Sequence, residues 1–248
     1  MLAWLESTTP FPDPRQAMPE GLLAVGADLS IDRLRQAYRQ GIFPWFNPGD
    51  PILWWSPDPR MILACNSLKI SHSLGKKLRQ ITRQERAPHP RIKITLNQAF
   101  DHVIQACASP RKERNETWIS PAMQGAYKLW HAHGQVHSVE TWIDGELAGG
   151  LYGVCLGNFF FGESMFSRQT DASKVALAYL VRFLVCRGIK HIDCQQQTRH
   201  LASMGAAPVP RERFLEILRV TQRAPDQTWP AGQLLYSGQL VEGQPDAS

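Results

Sequence analysis

The sequence lacks the spacings that cysteine chemistry needs. Cys65, Cys107, Cys155, Cys186 and Cys194 are odd in number, widely spread and include no C-x-x-C pair. That pattern argues for reduced thiols, and against both a disulfide framework and a structural zinc site. No stretch approaches ~18 uninterrupted apolar residues, so no membrane span is expected. The opening MLAWLESTTPFPDP has no charged segment followed by an apolar run, so it does not read as a signal peptide and a cytoplasmic protein is expected. GKKL at 75–78 lacks the glycine loop of a P-loop, and no G-x-G-x-x-G is present. His131, His133 and His137 in HAHGQVH match no zinc spacing and straddle a helix end, which predicts surface or cap histidines and no metal. Internal repeats and low-complexity tracts are absent too.

What is present is a chain of 248 residues, 43% hydrophobic and 20% charged. That suits one large domain, or a domain with a smaller companion. The formal charge of +5 is compatible with a polyanionic partner, although such an excess is more often an unspecific basic surface. The first sixty residues are rich in Pro, Gly and Trp. Within them Ser30 is a plausible N-cap for a helix over IDRLRQAYRQ that stops at Gly41. The segment GIFPWFNPGDPILWWSPDPR is too aromatic to leave exposed and predicts a compact cap packed on the rest.

From about Met61 the periodicity becomes that of an α/β domain. MILAC and RIKITL read as strands around a helix in SHSLGKKLRQITRQER, and LNQAFDHVIQACAS and SPAMQGAYKLWHAHG read as helices. QVHSVETWID, ELAGGLYGVCLG and FFFGESMFS read as strands joined by turns at Gly145 and at Gly157-Asn158. DASKVALAYLVRFLVCRG is the clearest helix, with Asp171 placed to cap it, and IKHIDCQ and RERFLEILR follow as strand and helix. The order of hairpin, long helix, strand and helix resembles an acetyltransferase-like mixed sheet flanked by helices, an α/β (α+β) class. Three units are expected: a small N-terminal domain over 1–61, a catalytic domain over 62–236 and a loose tail over 237–248.

One residue is out of place. Glu163 lies inside the apolar FFFGESMFS, where a lone carboxylate costs several kcal/mol or takes up a proton. Asp193 and Gln195, two apart on a strand, would share one face, with Cys194 on the other. They read either as a structural hydrogen-bond pair or, with Glu163 on the same sheet, as a site. Cys194 has no evident histidine partner and reads as a small buried residue. Between Ser67 and Lys93 stand eight basic residues, among them Lys76, Lys77, Arg79 and Arg83, against one acid, Glu85; RKER at 111–114 and Trp118 follow. Such a surface suits phosphates and a stacked base, and a solvated helix face is the competing reading.

As a set, GLLAVGADLS, RLRQAYRQGIFPWF, PILWWSPDPR, GGLYGV, FFGESMFSRQTDASK, IDCQ and HLASMGA closely resemble the bacterial leucyl/phenylalanyl-tRNA–protein transferases. The resemblance runs from about Pro12 to Trp229. It implies an enzyme that moves Leu or Phe, and less well Met, from aminoacyl-tRNA onto the N-terminal Arg or Lys of acceptor proteins. The product would be an N-degron for regulated proteolysis, made by a monomer without cofactor, metal or membrane. It also implies roles. Asp193, Gln195 and Glu163 would be catalytic, with Gln195 contacting the attacking amine, Asp193 orienting it and Glu163 facing the cationic acceptor. Leu151, Phe160, Leu177, Leu180 and Ile192 would line the slot for the donor side chain. Trp45 and Trp118 would hold the 3′-terminal adenosine, and Lys76, Lys77, Arg79 and Arg83 the tRNA phosphates. Ala27 stands where the family has a second glycine, which predicts strain if φ there is positive.

Two other readings are open to test: an acetyl-coenzyme A acetyltransferase, disfavoured because SRQTDAS has no glycine turn for pyrophosphate, and a non-catalytic tRNA-binding protein. Strict alternation also sets Phe160 and Glu163 on opposite faces, so a shared site demands a bulge between them, at Gly162.

Overall fold

A computed structural model describes residues 2–109 and 117–242; the basic RKER segment lies outside the described residues. In the N-terminal part, β1 (Ala3–Leu5), β2 (Leu22–Gly26), β3 (Phe43–Pro44) and β4 (Leu53–Trp55) form a small sheet of order β1-β2-β4-β3. Helix α1 (Ile31–Arg39) joins β2 to β3, and the Ser30 hydroxyl accepts from the Arg33 N–H, capping it as expected.

The larger part begins with β5 (Arg60–Ala64), α2 (His72–Gln84), β6 (Ile92–Leu96), α3 (Phe100–Ala108) and α4 (Pro121–Ala132). The hairpin strands β7 (Val136–Ile143), β8 (Glu146–Leu156) and β9 (Phe159–Ser167) follow, then α5 (Ala172–Cys186) and β10 (His191–Gln195). The chain closes with α6 (Arg199–Ser203), β11 (Ala207–Val209), α7 (Arg211–Thr221), β12 (Gly232–Leu234) and β13 (Leu240–Glu242). Nine of these strands make one mixed sheet, β11-β5-β10-β9-β8-β7-β6-β12-β13. Its parallel neighbours are β9 and β10, joined through α5, because a parallel pair needs a crossover.

Apolar patterning decides the layers. Nearly every residue of α5 from Ala172 to Leu184 is buried, as expected of a helix that is apolar all round and lies against a sheet. β9 is apolar on both faces over Phe159–Phe161 and separates two cores: Phe159 and Phe161 pack with Tyr38, Trp54 and Phe214, while Phe160 packs with Leu177, Leu180 and Trp229. The Trp- and Pro-rich segment is thus a cap that shares a core with the large sheet, and the chain passes between sheets from Trp55 to Arg60.

Three expectations need correction. Asp171 does not cap α5 with its side chain; it sits at φ 66 and its carboxylate pairs with Lys77 and Lys174 at 3.7 and 3.3 Å. Residues 240–242, expected in the loose tail, form the edge strand β13, held by β12. His137 is a buried strand residue stacked on Trp229 at 4.0 Å, not a surface or cap histidine, and burial pushes its pKa down to about 3. Among the described residues, no helix is long and apolar enough to cross a membrane, and no three of His, Cys, Asp and Glu gather as metal ligands.

Ala27 adopts φ 63, with its N–H donating to Leu5 O at 2.7 Å. A side chain in that left-handed region costs roughly 1–2 kcal/mol, partly offset by glycine's larger unfolded-state entropy. Ala27→Gly is therefore expected to raise stability by about 0.5–1 kcal/mol, read as a higher urea midpoint at unchanged slope. An unchanged or lower midpoint would refute strain at this position.

Candidate active site

β9 and β10 pair at only two positions, Phe160 with Ile192 and Phe161 with Asp193. Past these, both strands leave regular geometry. On β9 the pair Gly153–Gly162 is followed by Tyr152–Ser164, so Glu163 is an extra, bulged residue. The bulge reverses the strand's parity: Phe160 and Met165 face one core, Phe161 and Phe166 the other. This is the kink that the sequence demanded, opening directly after Gly162. Gly153 permits it, since a Cβ there would lie 2.2 Å from Phe161 O and 2.6 Å from the Phe160 ring.

On β10 the pairing with β5 becomes irregular between Asp193 and Gln195, and Gln195 takes φ 60. A non-glycine residue held there costs of order 1–3 kcal/mol and is most often found at functional sites. The diverging strands border a cleft of about 490 Å3. Leu151, Phe160, Leu177, Leu180 and Ile192, the five residues expected to form an apolar slot, all line it, together with Glu163 and Trp118.

At the wall of this cleft Glu163 meets a polar network whose other members, Tyr38, Tyr127 and Gln195, are not among the lining residues. Tyr38 on α1 donates to its Oε1 at 2.7 Å, Tyr127 on α4 donates to Oε2 at 3.1 Å, and Gln195 Nε2 donates to Oε1 at 3.0 Å. Burial pushes its carboxyl up to about 7, against the two tyrosine hydrogen bonds that pull it down. A carboxylate only accepts, so the Gln195 amide turns its NH2 toward Glu163 and keeps its carbonyl oxygen for another donor. The tyrosine hydroxyls are themselves held neutral, since burial and the nearby carboxylate raise both pKa values.

Asp193 does not enter the cleft, contrary to the simple alternation. It is 0% exposed and forms a bidentate pair with Arg60, Nε to Oδ1 at 2.9 Å and Nη2 to Oδ2 at 2.6 Å. Arg60 Nη1 also donates to Gly41 O at 3.1 Å, and its guanidinium lies over the rings of Phe43 and Phe214. The link from Asp193 to the site runs through the main chain: Oδ1 accepts the Gln195 N–H at 2.8 Å. Asp193 thereby ties the main chain of Gln195 in its left-handed turn. Ile192 and Cys194 are the β10 residues that line the cleft, and burial pushes the Cys194 thiol up to about 12, which keeps it protonated.

Other expected residues divide. Trp45 is not among the cleft-lining residues; it packs edge-on against Trp55, whose Nε1 donates to Trp45 O at 2.7 Å. Lys76, Arg79 and Arg83 are exposed on α2, whereas Lys77 is half-buried and donates to Thr170 O at 2.6 Å. Sequence reasoning missed Tyr38 and Tyr127, and missed Leu63, Leu201 and Met204 in the cleft wall. The tyrosines carried one signal, a hydroxyl on an otherwise apolar helix face.

The family model described as leucyl/phenylalanyl-tRNA protein transferase matches residues 62–219, and the model of that family's N-terminal domain matches residues 27–58. The chain is 59% identical over 241 residues to a leucyl/phenylalanyl-tRNA–protein transferase of Bordetella petrii, covering 96% of this chain and 95% of that one. A protein of the same description from Nitrosomonas europaea is 55% identical over 229 residues, covering 92% and 93%. Among solved structures, a GCN5-related N-acetyltransferase from Kribbella flavida aligns at 9% identity and TM-score 0.35, over 70% of this chain and 59% of that one, a likeness too slight to carry weight.

Proposed function

This chain belongs to the leucyl/phenylalanyl-tRNA–protein transferase family, and from that premise we propose how its cleft performs the reaction. The enzyme is an aminoacyltransferase that moves leucine or phenylalanine from tRNA to the N-terminus of a protein. The donor is already an activated ester, so no ATP is consumed. The acceptor amine attacks the ester carbonyl, a C–N bond forms, the ester C–O bond breaks and the ribose hydroxyl of tRNA leaves. An N-terminal amine has a pKa of about 7.7–8.0, so a reactive neutral fraction exists at neutral pH without a covalent enzyme intermediate. The protein supplies orientation and charge placement.

In this proposal the donor side chain enters the slot of Leu151, Phe160, Leu177, Leu180 and Ile192, which favours residues unbranched at Cβ. The Gln195 carbonyl oxygen accepts an N–H of the attacking amine. A glutamine amide is a poor base, so water or the leaving ribose oxygen takes the proton. Glu163 faces the cationic Arg or Lys acceptor, whose charge makes the buried carboxylate favourable. Trp118, with Trp45, holds the terminal adenosine, and Lys76, Arg79 and Arg83 hold phosphates, while Lys77 contributes less because Thr170 engages it. The N-degron product and a cytoplasmic setting belong to the same proposal, as does a small N-terminal domain over 1–61.

The observation that carries the reading is convergence: Glu163 lines the same cleft as the apolar slot and accepts a hydrogen bond from Gln195. Coenzyme A is disfavoured because Asp171, paired with two lysines, occupies the start of α5, where a pyrophosphate would sit. The test supplies labelled Leu-tRNA or acetyl-coenzyme A with a peptide beginning in Arg. Label is expected on the peptide from Leu-tRNA alone. Gln195→Ala is expected to lower the transfer rate by about 100-fold, with tRNA affinity retained. Label from acetyl-coenzyme A, or tRNA retention without transfer, would sink the reading.

A further inference from the structure

The donor slot has a floor one side chain thick. Met204 and Leu177 line the cleft, and both also line a second cavity of about 290 Å3. Leu68, Ile70 and Leu74 give that cavity an apolar wall, and Lys69 and Lys174 stand at its edge. The two partition residues are held differently. Leu177 is fixed in the middle of the buried helix α5. Met204 follows the short helix α6, none of whose residues is buried.

The Met204 backbone is nevertheless clamped. Its carbonyl accepts the Lys69 N–H at 2.9 Å, and its N–H donates to His200 O and Leu201 O. The next residue, Gly205, lies at φ 102, where a Cβ would fall 2.0 Å from Ser67 O. A fixed backbone thus carries an unbranched, conformationally adaptable thioether into the wall between two cavities. Branched or aromatic residues would make a rigid partition; methionine makes one that can be displaced or trimmed.

We propose that Met204 sets the depth of the donor side-chain slot, and that the second cavity is an extension of it for unbranched apolar side chains longer than phenylalanine. The proposal rests on the reading of the slot given above and adds to it a residue that determines donor specificity. Leu, Phe and 2-naphthylalanine, each esterified to the same tRNA, are the probes, with an Arg-initiated peptide as acceptor. Met204→Ala is expected to raise the kcat/KM of naphthylalanine relative to Leu by about 10-fold or more, the discrimination that a few methylene-sized volumes provide. Met204→Phe, which fills the wall instead of opening it, is expected to lower the ratio of Phe to Leu transfer, and it serves if the alanine variant does not fold. Donor ratios unchanged in both variants, or equal losses for all three donors, overturn the proposal. Failure of the unsubstituted chain to transfer Leu at all would instead overturn the reading of the cleft on which it rests.

Discussion

Asp193→Ala is expected to destabilise the chain by about 3–5 kcal/mol and to remove most of its transfer activity. The carboxylate is 0% exposed and Arg60 is 1% exposed, so the variant strands a guanidinium among Phe43, Phe214 and Gly41 O with no counter-charge. Whole-domain stabilities are about 5–15 kcal/mol, so the loss is a large fraction of what holds the fold. A second variant separates scaffold from chemistry. Replacing the pair together, Arg60→Met with Asp193→Leu, removes both buried charges and is expected to recover most of the stability. It cannot restore the acceptor for the Gln195 N–H, which Asp193 Oδ1 provides at 2.8 Å. The double variant should therefore unfold near the urea midpoint of the parent yet transfer slowly. Recovery of both properties would show that Asp193 has no positioning role, and an unshifted midpoint for Asp193→Ala would show that the ion pair is not structural.

That pair also marks where the sequence stopped being readable. Features settled by neighbouring residues were legible: the Ser30 cap, the turn at Gly157, the long apolar helix α5, and the conflict between Phe160 and Glu163 that required a bulge. Strand alternation also set Asp193 beside Gln195 on one face, and this failed because the left-handed turn at Gln195 interrupts the strand. Nothing local announces that turn; it is stabilised by Arg60, 133 residues away from Asp193. Glu163 looked unpartnered for the same reason, since Tyr38 and Tyr127 lie 125 and 36 residues from it on separate helices. The slot residues were named through the family resemblance alone, because an apolar side chain lining a cleft has the same periodicity as one filling a core. Met204 had no periodic signal at all, following a helix of five residues.

Between pH 4.5 and 7 Glu163 is expected to lower stability as pH rises, against the opposite contribution of His137, held at about 3 and so below its ordinary 6.5, and Glu163→Gln is expected to remove the Glu163 contribution. The sign follows from proton counting. In the unfolded chain a glutamate titrates near its ordinary value of 4.5, whereas burial holds the folded Glu163 at about 7. Between those values the folded state binds the extra proton, so raising the pH favours unfolding. Above about 7 both states are ionised and the dependence ends. The full effect is on the order of 3 kcal/mol, with the two tyrosine hydrogen bonds to the carboxylate already included in the position of the upper value. Glutamine has no proton to lose, so the difference in urea stability between variant and parent should change steadily across this window and stay level outside it. Transfer should move the opposite way. The parent needs an ionised Glu163 to meet a cationic acceptor and a neutral amine to attack, so its kcat/KM for an Arg peptide should climb through pH 7 and again toward pH 8. In Glu163→Gln the limb near 7 should vanish, leaving the limb of the amine. A difference between variant and parent that stays flat from pH 4.5 to 7, or a variant that keeps the limb near 7, would mean that Glu163 is not the group that titrates in the cleft.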